Sequence, residues 1–133
     1  GAGMAKGATN MALHYAMDRK TFGKPIAEHQ AIQLKLAEMS TRAAAAELLV
    51  HQAADKFDRE ERCDLEAGQA KFFASEAAVQ NSLDAMRVFG GYSYSPEYEI
   101  ERFYRDAPLL CIGEGTNEIQ RMIIAKQMVA RAS

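Results

Sequence analysis

Glu114 stands between two glycines in the stretch Ile112-Gly113-Glu114-Gly115-Thr116. A glycine on each side lets a backbone approach a ligand closely. The stretch precedes a predicted helix, where free N–H groups and the helix dipole favour negative groups. Such a carboxylate can face a ligand and act on it. It can equally be a helix-start acid that complements the dipole, with Thr116 as N-cap, and spacing alone favours that second reading. A second segment with chemical potential is Arg19-Lys20-Thr21-Phe22-Gly23-Lys24-Pro25. A basic loop with a glycine can grip phosphates through charge-assisted hydrogen bonds, Arg19 supplying a planar fork. A solvated turn would carry the same residues. The stretch Phe89-Gly90-Gly91-Tyr92 lets the backbone pass close to something, or simply stops a helix.

Other chemistries find no support. Helical bundles can hold paired irons through Glu-x-x-His motifs, but none of His14, His29 and His51 has a glutamate three residues before it. Glu47 and His51 stand four apart, and neither HExxH nor GxGxxG occurs. No metal site is expected. Cys63 and Cys111 form no CxxC pair, which argues against a disulfide scaffold or zinc and fits a reducing compartment. The net charge of −2 has its basic residues scattered among acidic ones, so neither nucleic acid nor an anionic membrane is an expected partner. No stretch reaches the ~20 apolar residues of a membrane span, and the N-terminus has no signal pattern. The expected location is the cytoplasm, or the mitochondrial matrix after processing.

The elements that must position these residues read as helix almost throughout. A first helix runs from the start to about Asp18, and its glycines and alanines imply close packing against a neighbour. It opens without a cap, which suggests a chain cut from something longer. A loop follows from Arg19 to His29, punctuated by Gly23 and Pro25. The second helix carries Ile32, Leu36, Met39, Ala43, Ala46, Val50, Ala53 and Phe57 at alternating spacings of four and three, an apolar seam. A third helix starts near Asp64, read as its N-cap, and reaches about Phe89. It has one stripe of Ala67, Ala70, Ala74 and Ala77 and another of Phe72, Val79, Leu83 and Met86, so it should sit between neighbours. Gly90, Gly91 and Pro96 end it. A short helix through Glu97 to Tyr104, a loop from Asp106 to Gly115 and a last helix from near Thr116 to about Ala130 complete the chain. The sum is one all-α domain over residues 1–133, an antiparallel four-helix up-and-down bundle.

Taken together these segments resemble the C-terminal helical domain of the acyl-CoA dehydrogenase family. The resemblance rests on Arg19 to Ile26 with His29-Gln30, Leu36-Ala37-Glu38-Met39, Phe89 to Tyr92, Glu101-Arg102, Tyr104-Arg105-Asp106-Ala107 and Ile112 to Arg121, in the family's order and spacing. It covers essentially the whole chain. It implies FAD as cofactor and oxidation of an acyl-CoA to its trans-2-enoyl-CoA, with Glu114 as the base that removes the α-proton. Burial against flavin and acyl chain would raise such a carboxylate's pKa toward neutrality. The Glu114 backbone N–H and a flavin hydroxyl would polarise the thioester carbonyl.

The resemblance also implies that Gly115 lies at the thioester end of the substrate and that Thr116, Asn117 and Glu118 touch FAD. Arg19, Lys20 and Thr21, with His29 and Gln30 nearby, would reach the FAD of a neighbouring subunit, as would the segment from Arg87 through Gly90 and Gly91. Arg87 stands where members usually carry Gln, and Gly113 replaces a residue that is often aromatic, which widens the pocket beside the base. Some branched-chain and long-chain members place the base elsewhere, so Glu114 argues against those. Full members carry a helical N-terminal domain and a β-domain before this one, and pass electrons to an electron-transfer flavoprotein or similar acceptor from a homotetramer. This chain by itself is expected to bind FAD poorly and to show no turnover. An acyl-CoA oxidase relative, or a non-catalytic helical oligomerisation or interaction module, are the competing readings. Acyl chain length and branching are not legible.

Overall fold

The computed structural model describes residues 1–132. Six helices follow one another: α1 (Ala2–Asp18), α2 (Gln30–Asp58), α3 (Asp64–Phe89), α4 (Ile100–Asp106), α5 (Leu109–Ile112) and α6 (Asn117–Ala132). Between α1 and α2 lies a two-stranded hairpin of β1 (Lys20–Thr21) and β2 (Lys24–Pro25), where a plain loop was expected. Its two-residue turn has Phe22 at φ 52° and Gly23 at φ 80°. Positive φ at both central residues is the turn geometry that suits the twist of a tight hairpin. Likewise the expected loop after Asp106 contains α5.

Pairwise contacts give the directions of the long helices. Lys6 meets Glu47 and Thr9 meets Met39, so α1 and α2 run opposite ways. Asp84 meets Arg42 and Glu66 meets Lys56, so α2 and α3 do too. Asn81 bonds Thr9 and Tyr15 stacks on Phe89, so α3 runs with α1. Ser75 bonds Asn117 and Glu66 bonds Arg131, so α6 runs against α3. The result is the up-and-down four-helix bundle, with α3 packed on each of the other three long helices.

Small residues set this packing. Ala5, Ala8, Ala12 and Ala16 form the buried face of α1. Ala74, Ala77, Ala78 and Ala85 are buried on α3, and Ala43 and Ala46 on α2. Short side chains let helix axes approach, and larger groups such as Met39 and Ile100 fill the remaining space at 0% exposure. Several expectations are corrected. The α2 seam is buried through Met39, Ala43 and Ala46, but Val50 and Phe57 are exposed. Ala67 is exposed, and its stripe on α3 begins at Gly68 and Ala70 instead. Asp64 is the first residue of α3 and Cys63 its N-cap; the Asp64 carboxylate is turned to Arg62 at 2.6 Å.

Composition did not reveal that the middle of α3 is buried with polar side chains. Asn81 is fully buried and donates to the Met39 carbonyl (2.9 Å) and to the Thr9 hydroxyl (3.0 Å), joining three helices. Asp84 is buried against α2 with Arg42, Lys35, Gln80 and Arg87. Burial pushes its pKa up, but the hydrogen bonds from Gln80 and Arg42 and the nearby cations outweigh that and hold it below the usual carboxylate range. Among the described residues no helix is long and apolar enough to cross a membrane.

Candidate functional site

Glu114 occupies the four-residue connection between α5 and α6. Its φ of 55° is left-handed, and Gly115 follows at φ 84°. Left-handed backbone costs an L-residue roughly 1–2 kcal/mol, so a glutamate held there is over-determined by its surroundings. Asn117 fixes one side of the connection. It is buried at 1% exposure, its Nδ2 donates to Ser75 Oγ (2.9 Å) and to Glu76 Oε1 (2.8 Å), and its Oδ1 accepts from Lys71 Nζ (2.8 Å). Thr116 caps α6: its hydroxyl accepts the Ile119 N–H at 3.4 Å. On the other side the Gly113 N–H returns to the Leu109 carbonyl at 2.8 Å.

Glu114 is itself exposed, at the edge of a cleft of about 510 Å³. Ala70, Ala74, Leu109, Leu110 and Val50 give the cleft apolar walls, and Lys71 and Ser75 add polar groups. Gly113 also lines it. Its missing side chain leaves room, although a Cβ would press the Leu109 carbonyl at 3.3 Å. At Gly115 the positive φ favours glycine, and a Cβ would come within 2.9 Å of the side-chain amide of Gln120, whose flexible end can move aside.

The other expected residues divide. Arg19, Thr21, Gly90 and Gly91 come together in a separate groove of about 480 Å³, floored by Tyr15, Ile26, Val88 and Phe89. His29 Nε2 and Thr21 Oγ1 are 2.9 Å apart, which ties the hairpin to the start of α2. The Arg19 guanidinium lies 5.6 Å from the Tyr92 ring centre. Tyr15 stacks on Phe89 at 4.1 Å, and burial raises the Tyr15 hydroxyl's pKa above its ordinary value. Gly90 and Gly91 have no atom within 4 Å of a would-be Cβ, so their backbone faces open space.

Lys20 and Gln30 are exposed beside this groove in sequence without lining it. Arg87 pairs with Asp84 at 3.0 Å and does not line the groove either. Glu118 is exposed on the first turn of α6. Hydrogen bonds from its own backbone N–H and from Thr116 hold its carboxyl below the usual range. Asn117 has its side-chain amide turned into the bundle, so what it offers to the outside is backbone. The sequence reading missed Lys71 and Ser75 altogether. Their positions in an alanine-rich helix gave no signal, because the partners lie 46 and 42 residues away.

Comparison with known proteins places the chain in a family. The family described as "Acyl-CoA dehydrogenase, C-terminal domain" matches residues 1–129. An acyl-CoA dehydrogenase of Bacillus subtilis is 51% identical over 127 residues, 96% of this chain and 34% of the relative. A 3-(aryl)acrylate reductase of Clostridium sporogenes is 50% identical over 127 residues, again 96% of this chain and 34% of the relative. Among solved structures, the butyryl-CoA dehydrogenase of Megasphaera elsdenii superposes with a TM-score of 0.94 at 39% identity, over 96% of this chain and 33% of that one. The chain thus spans about a third of the length of the relatives it matches. The bundle, the glycine-flanked glutamate and the extent of the match make this chain an acyl-CoA dehydrogenase C-terminal domain.

Proposed function

We propose that this domain supplies the base and part of the FAD site of a flavin-dependent acyl-CoA dehydrogenase. One observation carries the reading: Glu114 is held in left-handed backbone at the edge of an apolar cleft, with its side chain exposed to whatever occupies that cleft. Glu114 takes the α-proton of the acyl thioester. Among the described residues no acceptor takes the Glu114 N–H, which leaves it free to donate to the thioester oxygen and so acidify that proton. Gly115 permits close approach at the thioester end. Ala70, Ala74, Leu109 and Leu110 give the acyl chain apolar wall.

The groove around Arg19 fits the phosphate-bearing part of FAD. It combines a guanidinium at the rim, the Thr21 hydroxyl, open glycine backbone at Gly90 and Gly91, and an aromatic and aliphatic floor. Bound FAD would supply the acceptor for the β-hydride. Thr116 and Glu118 lie on the Glu114 side of the bundle, away from the Arg19 groove, which suits a dinucleotide reached from two different subunits of an oligomer such as a homotetramer. Glu114 is solvent-exposed in this domain, so the dry surroundings that general-base chemistry needs come from flavin and acyl chain covering the cleft. Electrons would leave to an electron-transfer flavoprotein or similar acceptor, in the cytoplasm of a bacterial cell or its mitochondrial equivalent. The Clostridium sporogenes relative is named a reductase, so the same site chemistry can run toward saturation when the electron supply favours it.

The test is anaerobic addition of acyl-CoA thioesters to the intact flavoenzyme. Bleaching of the oxidised flavin with formation of the 2-enoyl product supports the reading, and slow reaction of the reduced flavin with oxygen separates dehydrogenase from oxidase. Flavin that no saturated acyl-CoA reduces would contradict it.

A further inference from the structure

Lys71 projects from α3 into the cleft wall that also carries Glu114. Its ammonium donates to Asn117 Oδ1 at 2.8 Å and to the Cys111 carbonyl at 3.4 Å. Cys111 belongs to α5 and Asn117 opens α6. One cation therefore joins the last turn of α5 to the first residue of α6, on the two sides of the Glu114 connection.

The two ends depend on it unequally. Asn117 is also held by Ser75 and Glu76, so α6 keeps its anchor without the lysine. The end of α5 is weaker. It is a four-residue helix with no buried residue, and the carbonyls of a helix C-terminus lack intrahelical partners. Glu114 follows Cys111 by three residues, in a conformation that persists only if its neighbours impose it. The Lys71 ammonium reaches the part-buried Cys111 carbonyl at 3.4 Å, a long contact to which its charge adds attraction.

We propose that Lys71 is a positioning residue for the base: by clamping the end of α5 to the start of α6 it fixes the backbone of Glu114 at the cleft. This rests on the reading of Glu114 as the base. Lys71 does not touch the reacting atoms in this account; it acts through the connection.

Hydrogen exchange and kinetics on the intact flavoenzyme test this together. In Lys71→Met, which keeps length and loses the donor, the hydrogen-bonded amides of Leu110, Cys111 and Gly113 within residues 109–115 exchange at least about tenfold faster while those of α3 and α6 keep their protection. The same variant loses about 10- to 100-fold in kcat, with KM changed far less, as expected for a base held in the wrong place. Lys71→Arg, still a charged donor, recovers slow exchange and most of the activity. Unchanged exchange over 109–115 in Lys71→Met would overturn the proposal. So would faster exchange spread over the whole bundle, which marks a purely structural lysine, or failure of Lys71→Arg to recover either readout. Full activity in Glu114→Gln would instead overturn the base assignment, and the exchange result would still report on the clamp.

Discussion

Ser75 on α3 and Asn117 on α6 meet at 2.9 Å in the buried interior, three residues past Glu114. The Ser75 hydroxyl accepts from the Asn117 amide and donates to the Phe72 carbonyl at 3.0 Å. Through this pair the start of α6, and with it the glycine-flanked connection, is registered on the central helix. Removing the amide takes a partner from Ser75, Lys71 and Glu76 and leaves a void at a position that is 1% exposed. Asn117→Ala should therefore lower stability by about 1–3 kcal/mol. Denaturant unfolding of the protein checks it, and a loss within error of zero would show that this pair does not hold α6.

Acid sensitivity should be concentrated at the far end of the bundle. Glu66 is buried and receives Arg131 in two hydrogen bonds, at 2.7 and 2.9 Å, and Lys56 at 2.7 Å. These donors, Arg131 first, hold its carboxyl well below the usual carboxylate range. A folded-state pKa below the unfolded value contributes stability that is present above the unfolded pKa, about 4.3 for glutamate, and is lost as pH falls below it. Stability of the unsubstituted protein should thus fall faster below about pH 4.3 than that of Glu66→Gln. Parallel slopes from pH 6 to pH 3 would contradict this.

The strain at Glu114 predicts a trade between stability and activity. Glycine adopts φ 55° freely, so Glu114→Gly relieves about 1–2 kcal/mol of backbone strain and gives back part of it through the entropy of its unfolded chain. The variant should be as stable as the parent or up to about 1 kcal/mol more stable, while inactive. Glu114→Val, β-branched, should be less stable than either. Thermal unfolding of the three proteins orders them, and a clearly destabilised Glu114→Gly would mean that the side chain itself supports the fold.

Arg19 should matter for cofactor and not for folding. It is exposed at the rim of its groove, with its guanidinium over the Tyr92 ring. Arg19→Ala in the intact enzyme should lower the FAD recovered per protomer and leave the unfolding temperature within about 1 °C, as expected for a surface substitution. Full FAD retention would remove Arg19 from the cofactor site.

The long elements were legible because their physics is local. The ends of α1 and α3 at Asp18 and Phe89 follow from the glycines and prolines that punctuate them, and the α2 seam from Ile32 to Ala46 follows from its spacing. What was not legible depends on distant partners. Val50 and Phe57 continue the seam in sequence but are exposed. Asn81, Asp84 and Glu66 look like surface residues until α1, α2 and α6 arrive to satisfy them. At the site, Glu114 could be singled out from its two glycines and a family resemblance, but its left-handed backbone and the lysine and serine behind it could not. The hairpin at 20–25 was hidden because two-residue strands carry almost no periodicity.

The central claim is that the Glu114 carboxylate removes the α-proton. Its most direct test is the rate of anaerobic flavin reduction by a saturating acyl-CoA in a single turnover of the intact enzyme, unsubstituted and as Glu114→Gln, which keeps size and hydrogen bonding but cannot accept the proton. The account predicts flavin still bound and reduction slower by about 10²- to 10⁴-fold, the range of general-base catalysis. Reduction at the unsubstituted rate would contradict it.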